Sequence, residues 1–369
     1  MRIPPSEIKK RYLEQVERGN LGKNIGLNLD PKQFGRLTKY MANIQQGRVD
    51  LIAGSTGSGK SSFILDAYMI NPIQYVLNNP ESKIVLRILY FNMELPIQNI
   101  VAKYTARKIF DLTGGKTSLS VNKIFQKGAL ISQEERLLIA KHSEEVSFLM
   151  DYCRFYEGTI TGKYMYKEIM NNLSELGTFT KHHNPAGELV YTSYAYHNPD
   201  TYLICIADHL GLLSPNQGER SLKESIDATI NNCVIPTRNK YGVTWALCNQ
   251  MNRANEDPGR MRSAAGSAPL LGDLKDSAVP GEAADTVIAF YKPQLYGLDR
   301  YLEYDLSQMK KFFICAKFLK NRDGDSDVVN PFGFRGDIGL FRELPYADEL
   351  GKNGNPSLKQ IVEYFKINP

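Results

Sequence analysis

The segment that most constrains this chain is Gly54-Ser55-Thr56-Gly57-Ser58-Gly59-Lys60-Ser61. It fits the pattern G-x-x-x-x-G-K-[ST] in full. It follows an apolar run at 49–53 and opens a helical pattern over 62–69, which is the context the motif requires. A glycine-rich turn with a chance lysine is the alternative, and it leaves the flanking strand and helix without a reason. Glycines let the backbone curl until consecutive N–H groups face one point, and the helix N-terminus adds partial positive charge there. Such a loop cradles phosphates. Lys60 is expected to reach the β- and γ-phosphates of a nucleotide, and Ser61 to bind Mg²⁺. Residues Gly54, Ser55, Thr56, Gly57, Ser58, Gly59, Lys60, Ser61 and Ser62 are the candidate nucleotide-binding set, with ATP and Mg²⁺ as cofactors.

A site of this kind needs a second carboxylate on the metal side. An apolar run at 203–207 ends in Asp208. Ligands of open α/β sheets sit at the carboxyl ends of strands, so Asp208 is expected beside the phosphates, holding Mg²⁺ with Ser61. An Asp that only caps the next turn is the plainer reading. Glu94 ends another such run and is the candidate general base for water. Gln250 ends a fourth, and its neutral amide is suited to sensing the γ-phosphate. A surface Glu and a polar strand end are the simpler alternatives for these two.

The rest of the chain agrees with one large α/β domain. Apolar runs at 84–92, 202–207, 243–248, 286–291 and 312–318 alternate with helical patterns, and several are continuous, as in buried parallel strands. Leu222, Ile226, Ile230 and Val234 form one stripe, and Pro236 is expected to stop that helix. Residues 6–18 read as an amphipathic helix with Ile8, Tyr12, Leu13 and Val16 on one side. The expected organisation is a helix and linker over 1–33, an ATPase domain over 34–345 with a possible insertion at 111–200, and a tail over 346–369 with a short helix at 357–367. Eight of the 21 tyrosines lie between Tyr152 and Tyr202. With Lys163, Lys167, Lys181, His182 and His183 they could stack bases, although aromatics more often fill a small core.

Composition serves mainly to exclude. With 42% hydrophobic and 23% charged residues the 369-residue chain is not disordered. A charge of 45 − 40 = +5 rules out a histone-like polycation. The five cysteines make no C-x-x-C pair, so neither a structural zinc nor a disulfide framework is expected. The N-terminus has no apolar stretch, and no apolar run reaches about 18 residues. The cytoplasm, or a host cytoplasm for a viral protein, is the expected compartment.

Taken in order, these segments resemble the DnaB-type hexameric replicative helicases, including the helicase half of phage primase–helicases. Beyond the phosphate loop the resemblance rests on four stretches. They are Tyr90-Phe91-Asn92-Met93-Glu94-Leu95, Asp208-His209-Leu210-Gly211-Leu212, Asn249-Gln250-Met251-Asn252-Arg253, and Leu271-Gly272-Asp273-Leu274-Lys275-Asp276-Ser277 with Ala283-Ala284-Asp285-Thr286-Val287-Ile288. His209 stands where the family usually has an aromatic. The likeness covers roughly residues 34–342. It implies a RecA-like P-loop NTPase fold, with a mostly parallel sheet flanked by helices. It also implies ATP-driven movement of a ring, a hexamer, on single-stranded DNA during replication, with a separate primase or helicase loader as a further partner. Only about 33 residues precede the motor. No Cys-rich zinc segment is present, so a fused bacterial-type primase is not expected, and a phage or viral source fits. Phe318-Leu319-Lys320-Asn321-Arg322-Asp323-Gly324 resembles the family's Lys-x-Arg turn, whose Arg reaches the ATP of the neighbouring subunit. On that basis Arg322 is an arginine finger supplied in trans and Lys320 its companion. Without the family these are exposed charges on a turn, and Lys317 offers a second register.

Two loops follow catalytic strands, at 211–224 and 253–275, and pore loops of a ring are expected there. Arg220, Lys223, Arg260 and Arg262 are the candidate DNA contacts. Two rivals remain at this point: a RecA-type strand-exchange recombinase, and a P-loop ATPase acting as an assembly switch or loader. Glu94 and the Asp-Leu-Lys-Asp-Ser segment at 273–277 favour the helicase.

Overall fold

The computed structural model describes residues 5–23, 25–41, 43–128, 130–146, 149–183, 189–252, 259–260 and 268–366. Its strands, in chain order, are β1 (Val49–Gly54), β2 (Val85–Asn92), β3 (Cys153–Glu157), β4 (Gly177–His183), β5 (Leu189–Tyr196) and β6 (Thr201–Asp208). There follow β7 (Thr244–Gln250), β8 (Thr286–Tyr291), β9 (Arg300–Tyr301), β10 (Tyr304–Asp305), β11 (Phe313–Asn321), β12 (Val329–Arg335) and β13 (Leu340–Glu343). Nine of them form one sheet in the order β13-β12-β11-β8-β1-β7-β6-β2-β3. The six strands from β8 to β3 are parallel; β11, β12 and β13 are antiparallel to their neighbours.

The central strands are apolar throughout because both faces are covered. Ile52, Ile88, Ile204, Cys248 and Ile288 point into one core, beneath the helix at 60–78 and the helix Ile97–Leu112. Leu51, Leu89, Cys205, Leu247 and Val287 point into the other, under the helix Gly162–Leu176 and the helix at 222–241. The expected stop at Pro236 does not occur. The helix widens into a π turn at Ile230–Val234 and continues through Ile235–Tyr241 to a left-handed Gly242. Widening the turn before a proline relieves its clash with the carbonyl four residues back. The helix after the phosphate loop uses the same device, with a π turn at Asp66–Ile70 just before Pro72.

Register decides where the functional residues fall. Gly54 lies opposite Gln250 and Phe290, and Asn92 lies opposite Asp208. The carboxyl ends of β1, β2, β6 and β7 therefore share one edge of the sheet. β11 runs the other way, with Asn321 opposite Thr286, so the residue after it lies at the opposite edge.

Smaller parts complete the domain. Leu27 and Leu29 are buried, and Leu27 bridges to Ile44, so this part of the expected linker is packed onto the core. The first helix, Pro5–Asn20, is tied down by Arg18 on Asp200 at 2.9 Å, yet Ile8, Tyr12, Leu13 and Val16 stay exposed, Tyr12 by 66%. The hairpin β4–β5 carries an aromatic cluster in which Phe179 and Tyr241 lie 4.7 and 5.5 Å from Tyr194; these rings fill a small core. The C-terminal helix Leu358–Lys366 buries Ile361, Val362 and Phe365. Among the described residues no helix is long and apolar enough to cross a membrane. All five cysteines are buried and free.

Candidate active site

The phosphate loop leaves β1 at Gly54, where a Cβ would collide with the Ser58 hydroxyl and meet the Phe290 carbonyl at 2.7 Å. It re-enters a helix at Lys60 from Gly59, whose φ of 86° favours glycine. Lys60 Nζ donates to the carbonyls of Gly54 (2.9 Å) and Ser55 (2.8 Å), which folds the ammonium over the mouth of the loop.

Behind it the Ser61 hydroxyl donates to Asp208 Oδ1 at 3.2 Å. The Tyr90 hydroxyl donates to Asp208 Oδ2 at 3.0 Å. Burial, and then the neighbouring Asp208 charge, push the Tyr90 hydroxyl well above its ordinary value, so it stays a neutral donor. Ser61 and Asp208 thus set two hard oxygens side by side beneath the loop. That donor set fits Mg²⁺, which is held by one or two protein oxygens together with substrate phosphates.

Glu94 and Gln250 approach each other across His209. The Glu94 carboxylate lies 3.9 Å from His209 Nε2, and the Gln250 side-chain amide is 3.2 Å from the same nitrogen. Burial lowers the His209 pKa, outweighing the opposing pull of Glu94 and Asp208, so the ring is neutral at physiological pH. Thr56, Gly57, Lys60, Ser61, Glu94 and Gln250 line one cleft of about 260 Å³. The structure therefore brings together Lys60, Ser61, Glu94, Asp208 and Gln250, from four separate stretches of sequence.

The same cleft contains residues that sequence reasoning missed. Lys292, directly after β8, donates to the Gly57 carbonyl at 2.7 Å and lies 5.2 Å from the Phe334 ring centroid. Lys103 donates to the Ser62 hydroxyl at 2.8 Å. Burial lowers the pKa of both lysines. Lys292 obeys the strand-end rule that exposed Asp208 and Gln250, so that signal was present. Lys103 carries none, since nothing in sequence separates it from Lys108 on the same helix.

No protein-family model matches the chain, and no curated protein matches it. Solved structures do. A helicase ATPase domain matches with a TM-score of 0.63 at 15% identity, over 91% of this chain and 98% of that one. A DnaB-like replicative helicase, described with its interactions with primase, gives 0.64 at 17% identity, over 93% of this chain and 69% of that one. The chain has the fold of a DnaB-type helicase ATPase domain. The α/β, RecA-like architecture expected from the sequence is the one observed.

Within this RecA-like fold, Arg322 and Lys320 lie away from the cleft. Arg322 follows β11 at the amino end of β8 and donates to Asp285 Oδ1 at 2.8 Å. Lys320 Nζ donates to the carbonyls of Gly281 (3.0 Å) and Glu282 (2.7 Å). Four residues of strand separate Thr286, at that edge, from Phe290, beside Gly54, or about 13 Å. The cleft and Arg322 of one chain do not meet.

The candidate DNA residues divide. Arg220 is exposed at the end of the loop that follows Asp208. Lys223 lies in the first turn of the helix Leu222–Thr229, pairing with Asp227 at 3.3 Å. Arg260 forks onto the Asp273 carboxylate at 2.8 and 3.0 Å, which neutralises its charge. Arg262 lies outside the described residues.

Proposed function

We propose that this chain is an ATP-dependent, ring-forming DNA helicase motor of the DnaB type, translocating on single-stranded DNA during replication, in a phage or viral setting. The observation that carries the reading is the split of its machinery between two sheet edges. One edge gathers Lys60, Ser61, Glu94 and Gln250 in one cleft, with Asp208 bonded to Ser61 behind it. The other presents Arg322, 47% exposed, out of reach of that cleft. An arginine so placed serves a nucleotide only on a second copy, as an arginine finger given in trans does. Repeating that contact closes a ring if the rotation closes, in this reading a ring of six copies. The exposed stripe of the first helix, Ile8, Tyr12, Leu13 and Val16, supports a second contact on a neighbouring protomer.

In this reading Lys60 and the loop amides bind the phosphates, Ser61 and Asp208 hold Mg²⁺, Glu94 draws the proton from the attacking water, and Gln250 reads the γ-phosphate. Lys320 accompanies Arg322 at the interface. Arg220 and Lys223, after Asp208, and Arg262, after Gln250, grip the DNA backbone, and Arg260 joins them when it leaves Asp273. A separate primase or helicase loader is the expected further partner, in keeping with a similar solved helicase described with its interactions with primase.

The test is ATP turnover with and without single-stranded DNA, followed by unwinding of a forked duplex, with Lys60→Ala as the control. DNA-stimulated turnover with unwinding supports the helicase. Stimulated turnover with strand exchange and no unwinding would move the chain to the recombinases. Turnover indifferent to DNA would make it an assembly switch.

A further inference from the structure

His209 stands between Glu94 and Gln250, beside the cleft. Its surroundings are specific. The ring is 5% exposed and lies one residue beyond Asp208. Its Nδ1 accepts the Gly211 backbone N–H at 3.1 Å. In a neutral imidazole the proton then sits on Nε2. Nε2 faces the Gln250 amide at 3.2 Å and Glu94 Oε2 at 3.9 Å. As placed, the Gln250 amide nitrogen lies 3.2 Å from Nε2; turning the amide over, which leaves its shape unchanged, sets its oxygen there and lets Nε2–H donate to it. With the amide so turned, the proton is bonded to Gln250, and Glu94 Oε2, at 3.9 Å, stands about 0.7 Å beyond the upper end of hydrogen-bond range.

The two ends of this bridge sit at loop roots. Gly211 opens the loop that carries Arg220, and Gln250 is followed by the segment that carries Arg260. Gly211 packs close against the ring, since a Cβ there would meet His209 Cε1 at 2.9 Å and Nδ1 at 3.0 Å. A shift of the 211–221 loop is thus passed to the imidazole through the Gly211 hydrogen bond.

We infer that His209 is a positioning residue that couples DNA on the loops to Glu94, by switching its Nε2–H between Gln250 and the Glu94 carboxylate. This rests on the helicase reading above. With the proton on Gln250, the carboxylate is free to take a proton from water. With the proton on Glu94, the carboxylate is held to the ring and hydrolysis is slowed. No bond to the nucleotide is involved, so ATP affinity is not the quantity that responds.

Two substitutions separate the halves of the bridge. His209→Asn keeps an oxygen near Nδ1 for Gly211 and removes the group facing Glu94 and Gln250. His209→Gln reaches the Nε2 position with an amide N–H and gives up the Gly211 contact. Turnover is measured with Mg²⁺-ATP, with and without oligothymidylate, alongside oligothymidylate affinity and a thermal melt. The expected result for His209→Asn is a ratio of DNA-stimulated to basal kcat that falls to about 1, with KM for ATP kept within about twofold. DNA affinity should be unchanged, and His209→Gln should recover part of the ratio. A wild-type ratio in His209→Asn overturns the inference. So does a loss explained by a raised KM or weakened DNA binding. If the wild-type chain itself shows no stimulation, the helicase reading falls first and this inference with it.

Discussion

The two edges of the central sheet hold their charged groups in opposite ways. At the carboxyl edge the contacts are few and exchangeable. Lys60 rests on carbonyls of its own loop, and Glu94 is 43% exposed with His209 Nε2 3.9 Å away. At the amino edge the contacts converge. Asp285 accepts from Val49 N–H at 2.9 Å, from Arg238 at 3.4 Å and from Arg322 at 2.8 Å, while Lys320 is anchored on two carbonyls. Groups that change partners as a nucleotide binds and reacts are loosely tied. A group to be offered to another molecule is set in place beforehand, which spares the ordering cost at the moment of contact.

The sharpest way to break this contrast is Arg322→Ala. Turnover should fall by about 10³–10⁵-fold, the range for a trans arginine. Mixing with Lys60→Ala subunits should restore part of it, because the two variants spoil different halves of an interface. Mixtures no more active than the separate variants would leave the amino edge with no role in catalysis. On the carboxyl edge, Glu94→Gln should cost about 10²–10⁴-fold in kcat, as for loss of a general base, with nucleotide binding retained in a fluorescent-analogue titration. Turnover near wild type would remove Glu94 from that role.

Two milder tests compare how carboxylates are buried at each edge. Asp66, in the helix after the phosphate loop, pairs with Arg107 at 3.2 Å, and burial pushes its pKa up to about 6. A carboxyl raised in the folded state binds its proton more readily folded than unfolded. Its contribution to stability therefore falls as pH rises from about 4 to about 6 and is level above that. Thermal melts across this window should show Asp66→Asn removing up to a few kcal/mol of this pH dependence; an unchanged pH dependence would mean that Asp66 has the same pKa folded and unfolded. Asp285→Asn should lower stability by about 1–3 kcal/mol through weaker hydrogen bonds to two guanidinium groups, and should reduce turnover less than Arg322→Ala does. Lys223→Ala, which breaks an exposed pair with Asp227, should change stability by no more than about 0.5 kcal/mol, so any loss of DNA affinity there reports on contact with the strand.

Much of the carboxyl edge was legible because each functional residue there follows an apolar strand, and parallel register does the rest. Asp208 and Gln250 needed no tertiary information. Glu94 needed only the end of β2. Other features were hidden for physical reasons. Pro236 reads as a stop, yet a π turn carries the helix past it. β12 contains Pro331 and Gly333, which read as breakers, but Gly333 is needed because a Cβ there would run into the Phe365 ring. β3, with the sequence Cys-Arg-Phe-Tyr-Glu, lies at the edge of the sheet and lacks the continuous apolar signature of the central strands. The Asp285–Arg322 contact joins residues 37 apart in the chain, and only the antiparallel return of β11 brings them together.

The buried cysteines carry a practical consequence. Burial holds the Cys153 thiol up to about 12 and those of Cys205, Cys233, Cys248 and Cys315 higher still, and the thiolate is the form that reacts. The native chain should therefore be silent to maleimides, with no need to strip its cysteines first. A single exposed substitution such as Val16→Cys would give one dye site per chain, so energy transfer between labelled copies can read whether their first helices come together in the otherwise unaltered protein.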